Sequence, residues 1–176
     1  MKTTQQTPNY LIELSDFLDK PIENLVNEIK EIEGIKLSDL KVRDLTYCND
    51  KLIEPGQGVY VFKTEENKIL YIGKVSSNSF TERIPKHFDI RPGAWFNGLI
   101  KNICKKHLKK EVDEKSCREA SKFVFENGKL VLINTTGKSR IGKLESILKA
   151  TAEPLNQTSP KDIKKVILLD ILPAHT

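Results

Sequence analysis

Apolar residues recur at helical spacing in the first part of this chain and at shorter spacing after residue 50. Between residues 10 and 33 they fall three or four positions apart, which is typical of helices that bury one face. Pro21 is expected to separate two helices or to begin the second one, and Gly34 is placed to end it. We therefore predict a helical extension over residues 1–50, ahead of a main domain at residues 51–176.

Two hairpins are predicted in the main domain from short apolar runs bounded by turn residues. The first joins strands at residues 58–63 and 68–73 through a polar loop. The second joins residues 123–125 to residues 130–133 through an Asn-Gly dipeptide, which favours a tight two-residue turn.

Helices are predicted at residues 81–88, 95–110 and 139–151. The apolar residues at 161–172 fit a helix or a strand, and their spacing does not decide between the two. The order of helices, hairpin, helices, hairpin and helix indicates an α+β domain.

Composition narrows the class of protein. No run approaches the roughly 18 apolar residues that a membrane span needs, and the first 17 residues lack the pattern of a secretory signal. The three cysteines show no metal-binding spacing and are expected to be reduced thiols, so we expect a soluble cytoplasmic protein without membrane contact. The net charge of +5 favours a polyanionic partner, although many soluble proteins of equal charge bind no nucleic acid.

Tyrosine and glycine occur together at both ends of the first hairpin. It begins with the tripeptide GVY at residues 58–60 and ends with YIG at residues 71–73. Side chains alternate along a strand, so a loop with an even number of residues places Tyr60 and Tyr71 on one face of the sheet. Such a pair can simply stabilise the sheet, but glycine in a strand often marks a bulge or the close approach of a ligand.

Two further regions of the sequence could carry chemistry. Arg83 and His87 lie one helical turn apart downstream of Lys74, and form either a solvated basic face or a phosphate site beside the phenols. Glu145 lies at the edge of the apolar stripe of the helix at 139–151. A carboxylate there either pairs with Lys149 at i+4 or binds a hard divalent metal.

Taken in order, these residues resemble the motifs of the GIY-YIG nuclease superfamily. The resemblance covers residues 58–156, with valine in place of the isoleucine of the first motif and a longer segment before the arginine. YIG followed by lysine is most similar to the nuclease domain of the excision-repair incision subunit and to restriction enzymes of this group. The matching residues are Gly58, Tyr60, Tyr71, Gly73, Lys74, Arg83, His87, Glu145 and Asn156.

The resemblance implies a small α+β domain with a central antiparallel sheet flanked by helices. It also implies a metal-dependent DNA endonuclease that leaves a 5′-phosphate and a 3′-hydroxyl. Glu145 would hold one Mg²⁺ or Mn²⁺, Tyr60 would be the general base, and Arg83 would hold the scissile phosphate. Lys74, Arg83 and the metal would favour the phenolate of Tyr60.

The remaining residues receive supporting roles from the same resemblance. Tyr71 and His87 would position water or phosphate, or His87 would assist proton transfer. Asn156 would tie the loop after the helix of Glu145 to the sheet, and the two glycines of the tripeptides would support the site.

The DNA partner is expected to be double-stranded or branched, and a monomer and a homodimer are both possible. Lys101, Lys105 and Lys109 either grip its backbone or form a solubilising helix face. Trp95 ends the most suggestive loop for such contacts, or else anchors its helix in the core. The alternative functions are a non-cleaving nucleic-acid-binding module with the same fold and a protein-interaction module that uses residues 10–46.

Overall fold

The computed structural model describes residues 9–174, and within them the strands form one central sheet and one separate pair. The first eight residues of the predicted extension and the last two of the predicted main domain lie outside this range. In chain order the strands are β1 (Leu11–Glu13), β2 (Ile35–Lys36), β3 (Tyr47–Cys48), β4 (Lys51–Leu52), β5 (Gly58–Thr64), β6 (Ile69–Val75) and β7 (Gly128–Asn134). The central sheet has the order β1-β7-β5-β6, β2 also pairs with β7, and β3 pairs with β4.

Helices cover both faces of the central sheet. In chain order they are α1 (Ile22–Glu31), α2 (Phe80–Arg83), α3 (Gly98–Asn102), α4 (Glu114–Asn127), α5 (Lys138–Thr151) and α6 (Leu168–Ile171). Shorter turns of 3-10 helix lie at Leu14–Phe17, Val42–Leu45 and Ile84–Phe88, and a π-helical turn follows α3 at Ile103–His107. Among residues 9–174, no helix is long and apolar enough to cross a membrane.

The sheet separates two apolar cores, and β5 contributes to both because all seven of its residues are buried. Tyr60 and Phe62 face the core that contains residues of α2, α3 and α4. Val59 and Val61 face the other core, which α1 and α5 complete. Each fully buried side chain of this size stabilises the fold by about 1.5–3 kcal/mol, so the central strand is fixed in register from both sides.

The structure confirms the α+β class, the first hairpin and the helix before residue 151. Strands β5 and β6 lie within two residues of their predicted bounds, and α5 begins one residue earlier than predicted. The helix predicted at residues 81–88 consists of α2 followed by a 3-10 turn that contains Pro85. The helix predicted at residues 95–110 begins only at Gly98, as α3, and continues as the π-helical turn.

The sheet is mixed, so the expectation of an antiparallel sheet is wrong for one strand. β1 runs parallel to β7, while the β5 pairs and β2 are antiparallel. The first of the two predicted N-terminal helices is replaced by β1 and a 3-10 turn. Three residues are too few to show a strand period, and β1 forms because the outer edge of β7 offers it backbone partners.

The second predicted hairpin is wrong in its first strand and its turn, while the strand predicted at residues 130–133 lies within β7. Residues 123–125 belong to α4, which ends at Asn127, and the chain passes directly into β7 at Gly128. Cys117, Ala120 and Val124 are buried at helical spacing, and the Asp113 side chain accepts a hydrogen bond from the Ser116 N–H at the start of the helix. The capping contact and this spacing decide the local structure over the preference of the Asn-Gly dipeptide for a turn.

Candidate active site

A cleft opens at the edge of the sheet, where β6 is the outermost strand. Tyr60 from β5, Tyr71 from β6, Arg83 from α2 and Glu145 from α5 all line it. The cleft has a volume of about 280 Å³. Four side chains that are up to 85 positions apart in the sequence therefore face one space, as the resemblance requires.

The cleft brings together groups from both faces of the sheet. Tyr60 and Tyr71 lie on the face that packs against α3. Lys74 lies on the other face, because it is paired with Val59, and it points toward Glu145 of α5. Only an edge strand lets side chains from opposite faces meet in this way, which explains why the cleft follows β6.

The two tyrosines share a face but are not directly opposite. Tyr60 is paired with Gly73, and Phe62 is paired with Tyr71. The phenol rings of Tyr60 and Tyr71 are stacked, with their centroids 6.4 Å apart. A Cβ atom on Gly73 would overlap the Tyr60 hydroxyl. Only glycine at this position therefore leaves room for the Tyr60 ring to lie across β6.

The other motif glycine has a purely backbone role. Gly58 has a φ of +140°, and a Cβ atom there would overlap the carbonyl of Ile133 on the neighbouring strand. The position is the first residue of β5, opposite Asn134. Gly58 therefore supports the site by setting how β5 enters the sheet.

His87 lies behind Tyr60 and not in the cleft. It is fully buried, and its Nε2 atom is 2.6 Å from the Tyr60 hydroxyl oxygen. Its Nδ1 atom accepts a hydrogen bond from the Leu99 N–H at 3.3 Å, so the neutral ring carries its proton on Nε2. Burial and the charge of Arg83 lower the pKa of His87 to about 3, which keeps the ring neutral. His87 therefore donates to the Tyr60 oxygen.

Burial raises the pKa of Tyr60 above its ordinary value, and the neighbouring Tyr71 and Glu145 raise it further. The charge and hydrogen bond of Arg83 act in the opposite direction but do not outweigh burial. Arg83 therefore shifts the pKa of Tyr60 in the expected direction, but the pKa still lies above its ordinary value. The Lys74 ammonium group pairs with Glu145 at 3.1 Å, so its effect on Tyr60 stays a prediction.

Glu145 is held between two lysines. Its Oε2 atom is 3.1 Å from Lys74 Nζ, and its Oε1 atom is 2.9 Å from Lys149 Nζ. Its side chain is only 13% exposed, so these two ammonium groups offset the cost of partial burial. The i+4 pair with Lys149 that the sequence allowed is present, and Lys74 adds a second partner from β6.

The chemistry of this donor set limits how a divalent metal can bind. Among residues 9–174, no three His, Cys, Asp or Glu side chains gather as a metal site. Mg²⁺ usually keeps several waters and takes one or two carboxylates together with phosphate oxygens of a substrate. Glu145 therefore fits a metal held mainly by water and a bound phosphate, and such a metal competes with two lysines for the carboxylate.

Asn156 completes the outer edge of β6. Its Oδ1 atom accepts from the Ile72 N–H at 3.0 Å, and its Nδ2 atom donates to the Ile72 carbonyl at 2.8 Å. The side-chain amide thus takes the place of a neighbouring strand. This contact fixes the segment after α5 beside the strand that carries Tyr71 and Lys74.

Phe96 is a cleft residue that the sequence reasoning missed. The Arg83 guanidinium carbon lies 4.6 Å from the centre of its ring, and Lys86 Nζ lies 5.3 Å from it. The adjacent Trp95 is 87% exposed, so the alternative in which it anchors its helix in the core is wrong. The Trp-Phe dipeptide after a Pro-Gly turn was the available signal.

The three lysines predicted to grip DNA do not line the cleft. Lys101 donates to the Ala94 carbonyl at 2.6 Å and is partly buried. Lys105 and Lys109 are exposed beyond α3. Their role in DNA binding stays a prediction.

The cleft combines a hydroxyl that can exchange a proton, a permanent positive charge and a carboxylate. These groups suit the hydrolysis of a phosphate ester, which needs a base, charge stabilisation and help for the leaving oxygen. No family model, no curated protein and no solved structure matches this chain.

Proposed function

We propose that the protein is a metal-dependent endonuclease of the GIY-YIG type that hydrolyses phosphodiester bonds in DNA. The observation that carries this proposal is the convergence of Tyr60, Arg83 and Glu145, from three separate elements, on one cleft. The residues match the motif order over positions 58–156, and the net charge of +5 suits a polyanionic substrate.

Arg83 is assigned to the scissile phosphate. Its guanidinium group is charged at all relevant pH values and presents a planar fork of donors to phosphate oxygens. In the transition state phosphorus carries additional negative charge, and Arg83 offsets it. Removal of one such donor typically lowers the rate by about 10²–10³-fold.

Tyr60 is assigned as the general base. Its phenolate takes a proton from the water as the water oxygen bonds to phosphorus. The bond from phosphorus to the 3′-oxygen breaks, and the 3′-oxygen takes a proton from solvent and leaves as a hydroxyl. The hydrogen bond from His87 favours the phenolate and fixes the direction of the ring. His87 is therefore a positioning residue, and Tyr71 packs against both rings.

Glu145 is assigned to Mg²⁺ or Mn²⁺, together with water and substrate phosphate oxygens. When bound, the metal would supply positive charge that stabilises the leaving oxygen. Lys149 and Lys74 hold the carboxylate in place in its absence. Lys74 also brings a positive charge to the wall of the cleft, where a phosphate would lie.

The proposal is tested by incubating supercoiled plasmid with the protein and Mg²⁺ or Mn²⁺. We expect nicked and linear DNA with ligatable 5′-phosphate ends, and a loss of at least about 10²-fold in rate for Glu145→Gln and for Arg83→Ala. Glu126→Gln and Arg118→Ala, which alter exposed residues of α4 outside the cleft, are the matched controls. If the wild-type protein leaves plasmid, single-stranded and branched DNA intact with both metals, the nuclease proposal fails.

A second function is a nucleic-acid-binding module that does not cleave. The observation that favours it is the occupation of both Glu145 oxygens by lysine ammonium groups. Under this alternative Glu145→Gln leaves DNA affinity unchanged and no metal stimulates strand breaks. Fluorescence anisotropy with labelled DNA, run beside the plasmid assay, separates the two functions.

A further inference from the structure

Two adjacent aromatic residues are exposed, and one of them belongs to the cleft. Trp95 is 87% exposed and Phe96 is 45% exposed. Phe96 lines the cleft together with Arg83. The chain thus places a large apolar surface in solvent beside the residue that is assigned to phosphate, which requires an explanation.

The loop that carries these residues is fixed by specific contacts. The Asp89 carboxylate accepts hydrogen bonds from the backbone and the guanidinium group of Arg91. Asn97, which is fully buried, donates to the carbonyls of Asp89 and Arg91 at 2.9 and 3.0 Å. Lys101 donates to the Ala94 carbonyl. These hydrogen bonds fix the backbone on both sides of Trp95, whose side chain is exposed to solvent.

The surroundings of the aromatic pair indicate the chemistry of its partner. Arg83 and Lys86 lie over the Phe96 ring, so two positive charges adjoin the aromatic surface. A nucleotide presents a negative phosphate and a flat π-face within one unit, and matches both features. Lys86 is paired with Glu82 at 3.2 Å, but a purely apolar partner would bury the charge of Arg83, which is unfavourable.

We infer that Trp95 stacks on a nucleobase that has left the double-helical stack beside the phosphate bound by Arg83. The inference rests on the proposed function and specifies its substrate, namely DNA with an unpaired base next to the cleavage position. A paired base inside a duplex has neighbours on both faces and offers no surface for stacking. Phe96, the neighbour of Trp95 in the chain, contacts the Arg83 guanidinium group, so this arrangement would bind phosphate and base side by side.

Trp95 is the single tryptophan of the chain, so intrinsic fluorescence reports on it directly. The experiment uses the full chain with Glu145→Gln, to prevent cleavage, and two labelled DNA molecules, a fully paired duplex and the same duplex with one bulged base. We expect the bulged DNA to quench the tryptophan emission and to bind about tenfold more tightly than the paired duplex. Trp95→Ala should lose that preference, and Trp95→Phe should retain part of it.

Phe125→Ala is the matched control, because Phe125 is an exposed aromatic residue outside the cleft. It should keep the preference for bulged DNA. Equal anisotropy-derived affinities for the two DNA molecules, with unchanged tryptophan emission, would overturn the inference and leave the proposed function intact. Absence of binding to either DNA, together with absence of plasmid cleavage, would instead remove the proposed function and the inference with it.

Discussion

At the scale of the residue, the protonation of Tyr60 controls the expected pH dependence. Burial raises the pKa of its phenol, so the phenol is protonated near neutral pH. Below that pKa the phenolate fraction rises tenfold for each pH unit. We expect the single-turnover cleavage rate to rise with a slope of about one on a logarithmic scale between about pH 6 and 9.

His87 provides an internal check on this prediction. Because its pKa is lowered to about 3, it stays neutral over the same range and should add no inflection near its ordinary pKa of about 6.5. His87→Gln keeps an amide donor for Tyr60 and should retain more activity than His87→Ala. A plateau that begins below about pH 7.5 in the wild-type protein, at constant metal concentration, would contradict the assignment of Tyr60 as the base.

The sequence indicated which residue types would face the cleft but not their partners. Tyr60, Arg83 and Glu145 were predicted because their order along the chain resembles the motifs of a known superfamily. The pairing of Lys74 with Glu145 was not, since it depends on two elements meeting at the sheet edge. Phe96 was missed for the same reason, because its contact with Arg83 depends on how the loop after residue 88 folds back.

At the scale of the element, strands and helices with uninterrupted local patterns were predicted, and those set by distant contacts were not. Strands β5 and β6 show their apolar runs and turn directly in the sequence. In α4 a local turn preference conflicts with a helical period, and the cap at Asp113 together with the packing of Cys117 and Val124 in the core decides between them. β1 has almost no local pattern, and exists because β7 pairs with it.

Two glycine substitutions test how the elements of the site are fitted together. In Gly73→Ala the new methyl group overlaps the Tyr60 hydroxyl, so either β6 or the Tyr60 ring must move. We expect a decrease of about 1–3 kcal/mol in the free energy of unfolding, and loss of cleavage. Chemical denaturation and the plasmid assay measure the two effects.

Gly142→Ala is the matched substitution in α5. A Cβ atom there meets only Lys74 Nζ within 4 Å, at 3.6 Å, which is an ordinary contact. Alanine in a helix interior is favoured over glycine, so we expect the free energy of unfolding to increase by about 0.5–1 kcal/mol. If both variants were destabilised equally, the close fit of Tyr60 over Gly73 would not be the cause of the first effect.

At the scale of the whole molecule, the N-terminal segment belongs to the central sheet as well as to a helix. β1 and β2 both pair with the outer edge of β7, whose other edge pairs with β5. α1 covers the face of the sheet opposite Tyr60, beside α5. The predicted boundary at residue 50 therefore separates segments that share a sheet and a core, and whether residues 51–176 fold alone stays a prediction to be tested.

Removal of residues 1–50 should prevent folding of the remainder. Ile22, Leu25 and Ile29 are fully buried, and at about 1.5–3 kcal/mol each they contribute about 5–9 kcal/mol. That amount is comparable with the total stability of a typical domain, about 5–15 kcal/mol, and the open edge of β7 would favour aggregation. Circular dichroism and thermal unfolding of residues 51–176 beside the full chain measure the outcome. A fragment that unfolds cooperatively and still cleaves plasmid would establish that the N-terminal segment is a separate extension. The cleft would then form without β1, β2 and α1.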